Sequence, residues 1–164
     1  MKPLRNAARK LRSVFRLTPF VLVWFPFAWV LMGLSRVAII TVTFRSLSRF
    51  FGTLHGVDPV VPMLSKNQER RAFQIAKLVS TTARNTPWES NCFPQALVAR
   101  MMLGIYRIPY ALYFGVKREG TSRELLAHAW VCSGICAVSG GDDSFDEYTV
   151  VGCYGAQSWR AVTP

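Results

Sequence analysis

The first 57 residues of this 164-residue chain contain no aspartate or glutamate. They hold nine lysines and arginines, whereas residues 58–164 hold eleven bases and all nine acids. The net charge of +11 therefore comes almost entirely from the N-terminal third. A nucleic-acid-binding domain would carry its positive charge on the folded module, interleaved with aromatic side chains or along a reading helix. Neither arrangement is present, so the sequence argues against a nucleic-acid partner.

Cysteine is scarce: the chain has only Cys92, Cys132, Cys136 and Cys153. That density is too low for a small scaffold stabilised by disulfides. A structural zinc site needs closely spaced ligand pairs, and Cys132-x3-Cys136 is one loose pair. The glycine-rich loop that cradles nucleotide phosphates is also missing. We therefore expect neither a metal ion nor another cofactor.

A long uncharged run follows the basic start of the chain. It covers Leu17–Ser35, nineteen residues, which is the length of a transmembrane helix, and six bases precede it on the side that would stay cytoplasmic. Pro19 and Pro26 interrupt the run and predict a kink or a break. Apolar residues recur at helical spacing beyond it, so the pattern predicts two hydrophobic helices separated near Ser35-Arg36.

Residues 1–52 are therefore predicted to be a basic, hydrophobic helical segment ahead of a globular part, residues 53–164. The helices of this N-terminal segment would pack on the globular part, on a partner or on a membrane surface, or they would span the bilayer. Their basic face suits anionic lipid, which favours a cytoplasmic protein associated with the inner face of the membrane. On this interpretation the segment serves docking and can be removed without unfolding the rest.

The globular part is expected to begin with an irregular connection, residues 52–65, which is rich in glycine and proline. A helix over 65–85 follows. A second helix of about twelve residues begins near Cys92, because Ser90 and Asn91 are residue types that cap helix N-termini. The buried stripe of the first helix is predicted to comprise Ala72, Phe73, Ala76, Val79 and Ala83.

Beyond Gly104 the pattern changes to short runs rich in aromatic and β-branched residues, separated by polar turns. Such runs predict an antiparallel sheet of three or four strands, against which the helix bearing Cys92 would pack. The predicted fold class is therefore α+β. The four runs are Pro109–Val116, Ala127–Cys132, Ile135–Ser139 and Tyr148–Cys153.

Three residue types follow one another in an order that suits covalent catalysis. Cys92 lies at a helix start, where unpaired N–H groups and the helix dipole stabilise a thiolate; a cysteine buried under the helix is the alternative. His128 lies on a predicted strand, where a structural histidine is the alternative. An acidic cluster follows. Cysteine hydrolases use a thiol, an imidazole that reaches it and a carboxylate that orients the imidazole.

Several segments resemble one family, the stand-alone leader peptidases of lasso-peptide biosynthesis, which are transglutaminase-like cysteine proteases of the papain type. The resemblance extends from about Ser65 to Gly155, and the opening helices also look like those of the family. The segments are NCFPQA at 91–96, LGIYRIPYAL at 103–112, FGVK at 114–117, AHAWV at 127–131 and, in the opening helices, RSLSRFFG at 45–52.

The resemblance implies a papain- or transglutaminase-like core, with Cys92 as the nucleophile and His128 as the general base and acid. The third residue of the expected catalytic triad, the carboxylate, departs from the pattern of the family. In that family the acid commonly follows the histidine by about twelve residues, a position that is Gly140 here. Asp142 and Asp143 come next, and we favour Asp142. A backbone carbonyl or a water molecule that orients His128 is the alternative.

The activity implied by the resemblance is hydrolysis of one peptide bond, which releases the core of a ribosomally made lasso precursor from its leader. The backbone N–H of Cys92 would be the first oxyanion donor. Leader recognition would belong to a separate winged-helix protein, and an ATP-dependent cyclase would close the macrolactam afterwards. Two alternatives remain: a transglutaminase-type acyl transfer to an amine, and a non-catalytic membrane-associated scaffold.

Overall fold

The computed structural model describes residues 18–58, 60–118, 124–141 and 144–155. The helices are α1 (Pro19–Thr41), α2 (Phe44–Ser48), α3 (Lys66–Ala83), α4 (Cys92–Ile105) and α5 (Ser144–Glu147). The strands are β1 (Thr53–Leu54), β2 (Ala111–Arg118), β3 (Leu125–Ser133), β4 (Cys136–Ser139) and β5 (Thr149–Gly155). The predicted α+β class is confirmed, with the helix that bears Cys92 packed on a small antiparallel sheet.

The strands form one antiparallel sheet in the order β1-β5-β2-β3-β4. Four of the strands match the predicted runs. Strand β1 was not predicted, because it lies in the stretch interpreted as irregular. The strand is defined by its pairing with β5, in which Thr53 pairs with Gly155 and Leu54 pairs with Tyr154. Two paired residues leave no periodic pattern in the sequence, so only the contact with β5 identifies the strand.

The sheet is covered on both faces. Alternate residues of β3 enter different clusters, since Ala129 and Val131 join the main core with α3 and α4 while Trp130 faces the other way. On that second face Trp130 stacks on Tyr113, with ring centroids 5.5 Å apart. Strand β3 therefore carries His128, the fourth of its nine residues, on the same face as Trp130.

Helix α1 is continuous where two helices were predicted. It passes through Pro26 and Ser35-Arg36, and the break comes later, at Val42-Thr43. Pro19 occupies the first turn, where a missing N–H costs nothing. The buried residues recur on one side of the helix, which packs along α3 and α4 over its length, and this packing outweighs the proline. These residues are Val21, Ala28, Met32 and Ser35.

Helix α3 begins with a capping box formed by Ser65 and Gln68. Its buried face differs from the predicted stripe, because Phe73 is 51% exposed and Ile75 and Leu78 are buried instead. The helix contacts α1, α4 and β4, and these three neighbours select a face that the apolar pattern alone does not define. The buried residues are Ala72, Ile75, Leu78, Val79 and Thr82.

Polar contacts also join α1 to the globular part. The Trp29 indole N–H donates to the backbone carbonyl of Asn85 at 3.2 Å, and Arg36 forms a 3.4 Å ion pair with Glu89. Near the start of the helix, the Arg71 guanidinium lies 4.9 Å from the ring centroid of Phe20. The boundary between residues 52 and 53 stays a prediction, which truncation will test.

Candidate active site

Cys92 is the first residue of α4 and is half-buried. Asn91 takes the N-cap position in an extended conformation, but its side chain makes no capping bond. The turn is held by other side chains. The Gln95 amide donates to the carbonyl of Ser90 at 2.7 Å, and the Ser90 and Thr86 hydroxyls are 2.7 Å apart. The thiol thus lies at a helix N-terminus, where unpaired N–H groups favour negative charge.

His128 is held on β3 by two oxygen atoms near one ring nitrogen. Its Nε2 atom is 3.1 Å from the carbonyl oxygen of Gly140 and 3.3 Å from the hydroxyl of Ser144. A carbonyl oxygen only accepts hydrogen bonds, so this contact requires the proton on Nε2. The Ser144 hydroxyl donates to the carbonyls of Gly140 or Gly141 and offers a lone pair to the imidazole. The arrangement leaves the lone pair of a neutral His128 on Nδ1.

Gly140 occupies the position where the resembling family has its acid, and no side chain fits there. Its φ is +94°, and an added Cβ would lie 2.2 Å from Cβ of Trp130 and 3.2 Å from Nε2 of His128. The backbone carbonyl of this residue contacts the imidazole instead. The predicted acid, Asp142, and its alternative Asp143 lie outside the described residues, so their relation to His128 stays a prediction.

Two aromatic rings pack against the imidazole of His128. Tyr148 stacks on the imidazole with centroids 4.7 Å apart, and Trp130 lies at 5.7 Å. The Lys117 ammonium lies 4.5 Å from the centroid of the Tyr148 ring and 2.6 Å from a carboxylate oxygen of Glu147. This hydrogen bond lowers the pKa of Glu147 and raises that of Lys117. The stack restricts the rotation of the imidazole.

Cys92 and His128 border one cavity of about 600 Å³. No hydrogen bond joins the thiol to the imidazole in the described part of the chain. Catalytic contacts are often long without substrate and shorten when it binds. The other lining residues come from α3, α4, β4 and the turn that follows β4. They are Ala76, Lys77, Ser80, Arg84, Gln95, Ala137, Val138, Ser139, Gly140 and Gly141.

The remaining cysteines lie elsewhere. No disulfide joins any two of the four cysteines, all of which lie among the described residues, and Cys136 and Cys153 are buried in the sheet. Burial raises the pKa of Cys153 to about 11, which keeps that thiol protonated and unreactive at neutral pH. Within the described residues no group of three or more His, Cys, Asp or Glu side chains is placed to hold a metal ion.

The sequence identified Cys92 and His128 as candidates and left a backbone carbonyl open as the group that orients His128, but it did not identify Gly140, Ser144 or Tyr148. Ser144 lies in a four-residue helix, and Tyr148 lies just before β5. The carbonyl of Gly140 carries no residue-type signal at all. The Gly140-Gly141 pair was the one available clue, because two adjacent glycines with positive φ allow the chain to approach β3 closely.

A comparison with protein families matches residues 38–153 to the transglutaminase-like superfamily. The match covers more than half of the chain and includes both Cys92 and His128, so the chain belongs to this superfamily. Comparison with curated proteins gives no match, and comparison with solved structures gives none either. At the level of the superfamily, membership supports thiol-based hydrolase or acyltransferase chemistry.

Proposed function

We propose that the chain is a cysteine peptidase that removes the leader peptide from a ribosomally made lasso precursor. The observation that supports it most strongly is that Cys92 and His128 border a single cavity. Cys92 lies at a helix N-terminus, and the hydrogen bond from Nε2 of His128 to the Gly140 carbonyl leaves Nδ1 to accept a proton. The superfamily supplies the class of chemistry. The narrower assignment comes from the resemblance of segments such as residues 91–96 and 127–131 to lasso leader peptidases.

In the proposed reaction the Cys92 thiol transfers its proton to Nδ1 of His128, and the sulfur attacks the carbonyl carbon of the scissile bond. The backbone N–H of Cys92 donates to the developing oxyanion. The imidazolium then protonates the leaving amine as the C–N bond breaks, which leaves an acyl-enzyme. Water attacks the thioester, His128 takes its proton, and that proton returns to the sulfur as the acid product leaves.

The carboxylate partner of His128 stays part of the proposal. Asp142 would approach the imidazole from the turn after Gly141, with Asp143 as the alternative. The Gly140 carbonyl and the Ser144 hydroxyl already supply two acceptors at Nε2. The backbone therefore already selects the tautomer of the imidazole. An acid in this turn would additionally stabilise the positive charge of the imidazolium.

The proposed partners are separate polypeptides: the lasso precursor, a winged-helix protein that recognises its leader, and the ATP-dependent cyclase that uses the released core. We also place the chain at the inner face of the membrane. Helix α1 is long and apolar enough to span a bilayer, and it carries an exposed stripe on the side away from α3 and α4. The stripe comprises Val23, Phe27, Val30, Leu34 and Val37.

Contacts on the other side of α1 favour a peripheral arrangement over a span. A spanning α1 would carry its partners Asn85, Glu89 and Arg71 into the hydrocarbon, at a cost of several kcal/mol for each charge. Lying in the interface, the helix would place its stripe in lipid and keep these groups in water. Exposed Arg45 and Arg49 follow the helix and suit anionic headgroups.

The test uses the full chain with a lasso precursor and a winged-helix leader-recognition protein, both to be sought among the genes that flank the one encoding this chain. Mass spectrometry should find one internal cleavage that separates leader from core, and the cleavage should disappear with Cys92→Ala. Added methylamine separates hydrolysis from acyl transfer, because an acyltransferase would give the amide at the new C-terminus. A precursor left intact by the complete mixture would contradict the proposal.

A further inference from the structure

One wall of the cavity that Cys92 borders carries basic residues. Helix α3 contributes Lys77 and Ser80 to the lining, and its C-cap residue Arg84 also contributes. Their spacing of three and four residues places them on one face of the helix. The described lining residues include no aspartate or glutamate. Two exposed cations and a half-buried serine therefore line the space where a substrate of Cys92 would lie.

These cations have no carboxylate partner among the described residues, where the ion pairs are Arg36–Glu89 and Lys117–Glu147. The same helix carries a second basic pair, Lys66 and Arg70, about two to five turns closer to its N-terminus. This pair lies outside the lining of the cavity, in a neighbouring groove that Lys77 also borders. Helix α3 thus supplies both the candidate site and a control of equal charge.

We propose that Lys77 and Arg84 form an anion-binding subsite that takes an aspartate or glutamate side chain of the peptide, close to the bond that Cys92 attacks. The guanidinium of Arg84 binds both oxygens of a carboxylate, and the ammonium of Lys77 supplies a second, more adaptable charge. The inference rests on the proposed peptidase function, because it assigns that reaction a class of substrate.

The first experiment needs no peptide substrate. Iodoacetate and iodoacetamide alkylate the same thiolate with loss of iodide, but only iodoacetate is an anion. The ratio of their rates at Cys92, followed by mass spectrometry of the modified peptide, therefore reports the charge of the cavity. Any change in the thiolate fraction of Cys92 affects both reagents and cancels in this ratio.

We expect the iodoacetate-to-iodoacetamide ratio to fall by about threefold or more in Lys77→Met/Arg84→Met, because two charges are lost from a partly enclosed space. It should fall further in Lys77→Glu/Arg84→Glu. The control Lys66→Met/Arg70→Met loses the same net charge outside the cavity and should leave the ratio unchanged at 0.15 M salt. Equal ratios in the site variant and the control would overturn the proposal.

The second experiment addresses the substrate. Synthetic peptide libraries that contain aspartate, asparagine or lysine at each position near the cleaved bond should show faster cleavage with the acid at one position. Lys77→Glu/Arg84→Glu should shift that preference to lysine. If the cations instead served the protein's own acids, the reversal would lower cleavage of all peptides equally, and the subsite would be wrong.

The two proposals fail in different ways. Cleavage of neutral and acidic peptides at the same rate, with no shift in the charge-reversed variant, would remove the subsite and leave the peptidase intact. Failure to cleave any peptide or precursor, together with the expected alkylation ratios, would leave an anion-binding cavity beside Cys92 and remove the peptidase.

Discussion

Helices α1 and α4 are both apolar, each contains a single charged residue, and they pack against each other. Helix α4 buries most of its surface between α1, α3 and the sheet, and presents Cys92 at its N-terminus. Helix α1 is longer, yet it buries only one face and leaves Val23 75% exposed. Apolar composition thus identifies both helices, but it does not show which one lies at the centre of the core and which one keeps an exposed apolar face.

Removal of residues 1–52 gives the largest effect and tests whether α1 belongs to the folding unit. Each large buried side chain contributes about 1.5–3 kcal/mol, and the net stability of a domain is only about 5–15 kcal/mol. We therefore expect the truncated chain to lose its cooperative thermal transition in circular dichroism. A sharp transition would show that the segment is separable, as the sequence predicted. The buried side chains lost are Val21, Ala28, Met32, Leu47 and Phe51.

Replacement of the nucleophile concerns the chemistry at the start of α4. Cys92→Ala and Cys92→Ser should lower kcat for precursor cleavage by roughly 10⁴-fold or more, with an unchanged melting temperature. Cys132→Ser, which changes another half-buried cysteine outside the cavity lining, should retain measurable turnover. Equal losses in the two serine variants would contradict the assignment of Cys92.

Two substitutions on α1 separate its faces. Met32→Ala removes a fully buried side chain and should lower the free energy of unfolding by about 2–5 kcal/mol. Leu34→Ala lies on the exposed stripe and should change it by about 0.5 kcal/mol or less. Urea unfolding measures both. Similar losses in the two variants would mean that the stripe is covered in solution.

The contact between Ser144 and His128 predicts a moderate effect. Ser144→Ala removes one acceptor at Nε2 but leaves the Gly140 carbonyl, so kcat should fall about tenfold, close to the value of one hydrogen bond. Asp142→Asn should cost more than Asp143→Asn if Asp142 is the carboxylate partner. Matched pH–rate profiles of the four proteins measure these effects, and a Ser144→Ala profile identical to wild type would remove its positioning role.

Binding to vesicles tests the exposed stripe with the smallest expected change. The full chain should sediment with phosphatidylglycerol vesicles, and Val30→Glu/Val37→Glu should weaken this binding severalfold because charges on the apolar face oppose insertion. Leu125→Glu/Ile135→Glu places the same two charges at residues of β3 and the β3–β4 turn that are 62% and 82% exposed, and should bind like wild type. Carbonate at high pH should release the protein, whereas a spanning helix would remain in the membrane.

Much of the site was predictable because its residues carry local signals. Cys92 follows N-cap residue types, and His128 lies in a run with strand periodicity, so both could be assigned to elements before any contact was known. Gly140 and Ser144 could not be, since a carbonyl has no residue type and a hydroxyl near an imidazole depends on how a turn folds back on β3. The buried face of α3 was missed for a related reason: its neighbours select it.

The sequence by itself determined the α+β class, the helix that starts at Cys92, the strand that carries His128 and the uneven charge. The first three follow from propensities and periodicities that act over a few residues, and the uneven charge follows from composition alone. The tertiary structure alone decided that α1 is one helix with a buried and an exposed face, and that Lys77 and Arg84 share a cavity with Cys92. It also decided that the Gly140 carbonyl orients His128. Such features depend on contacts between residues distant in the chain, which local patterns do not encode.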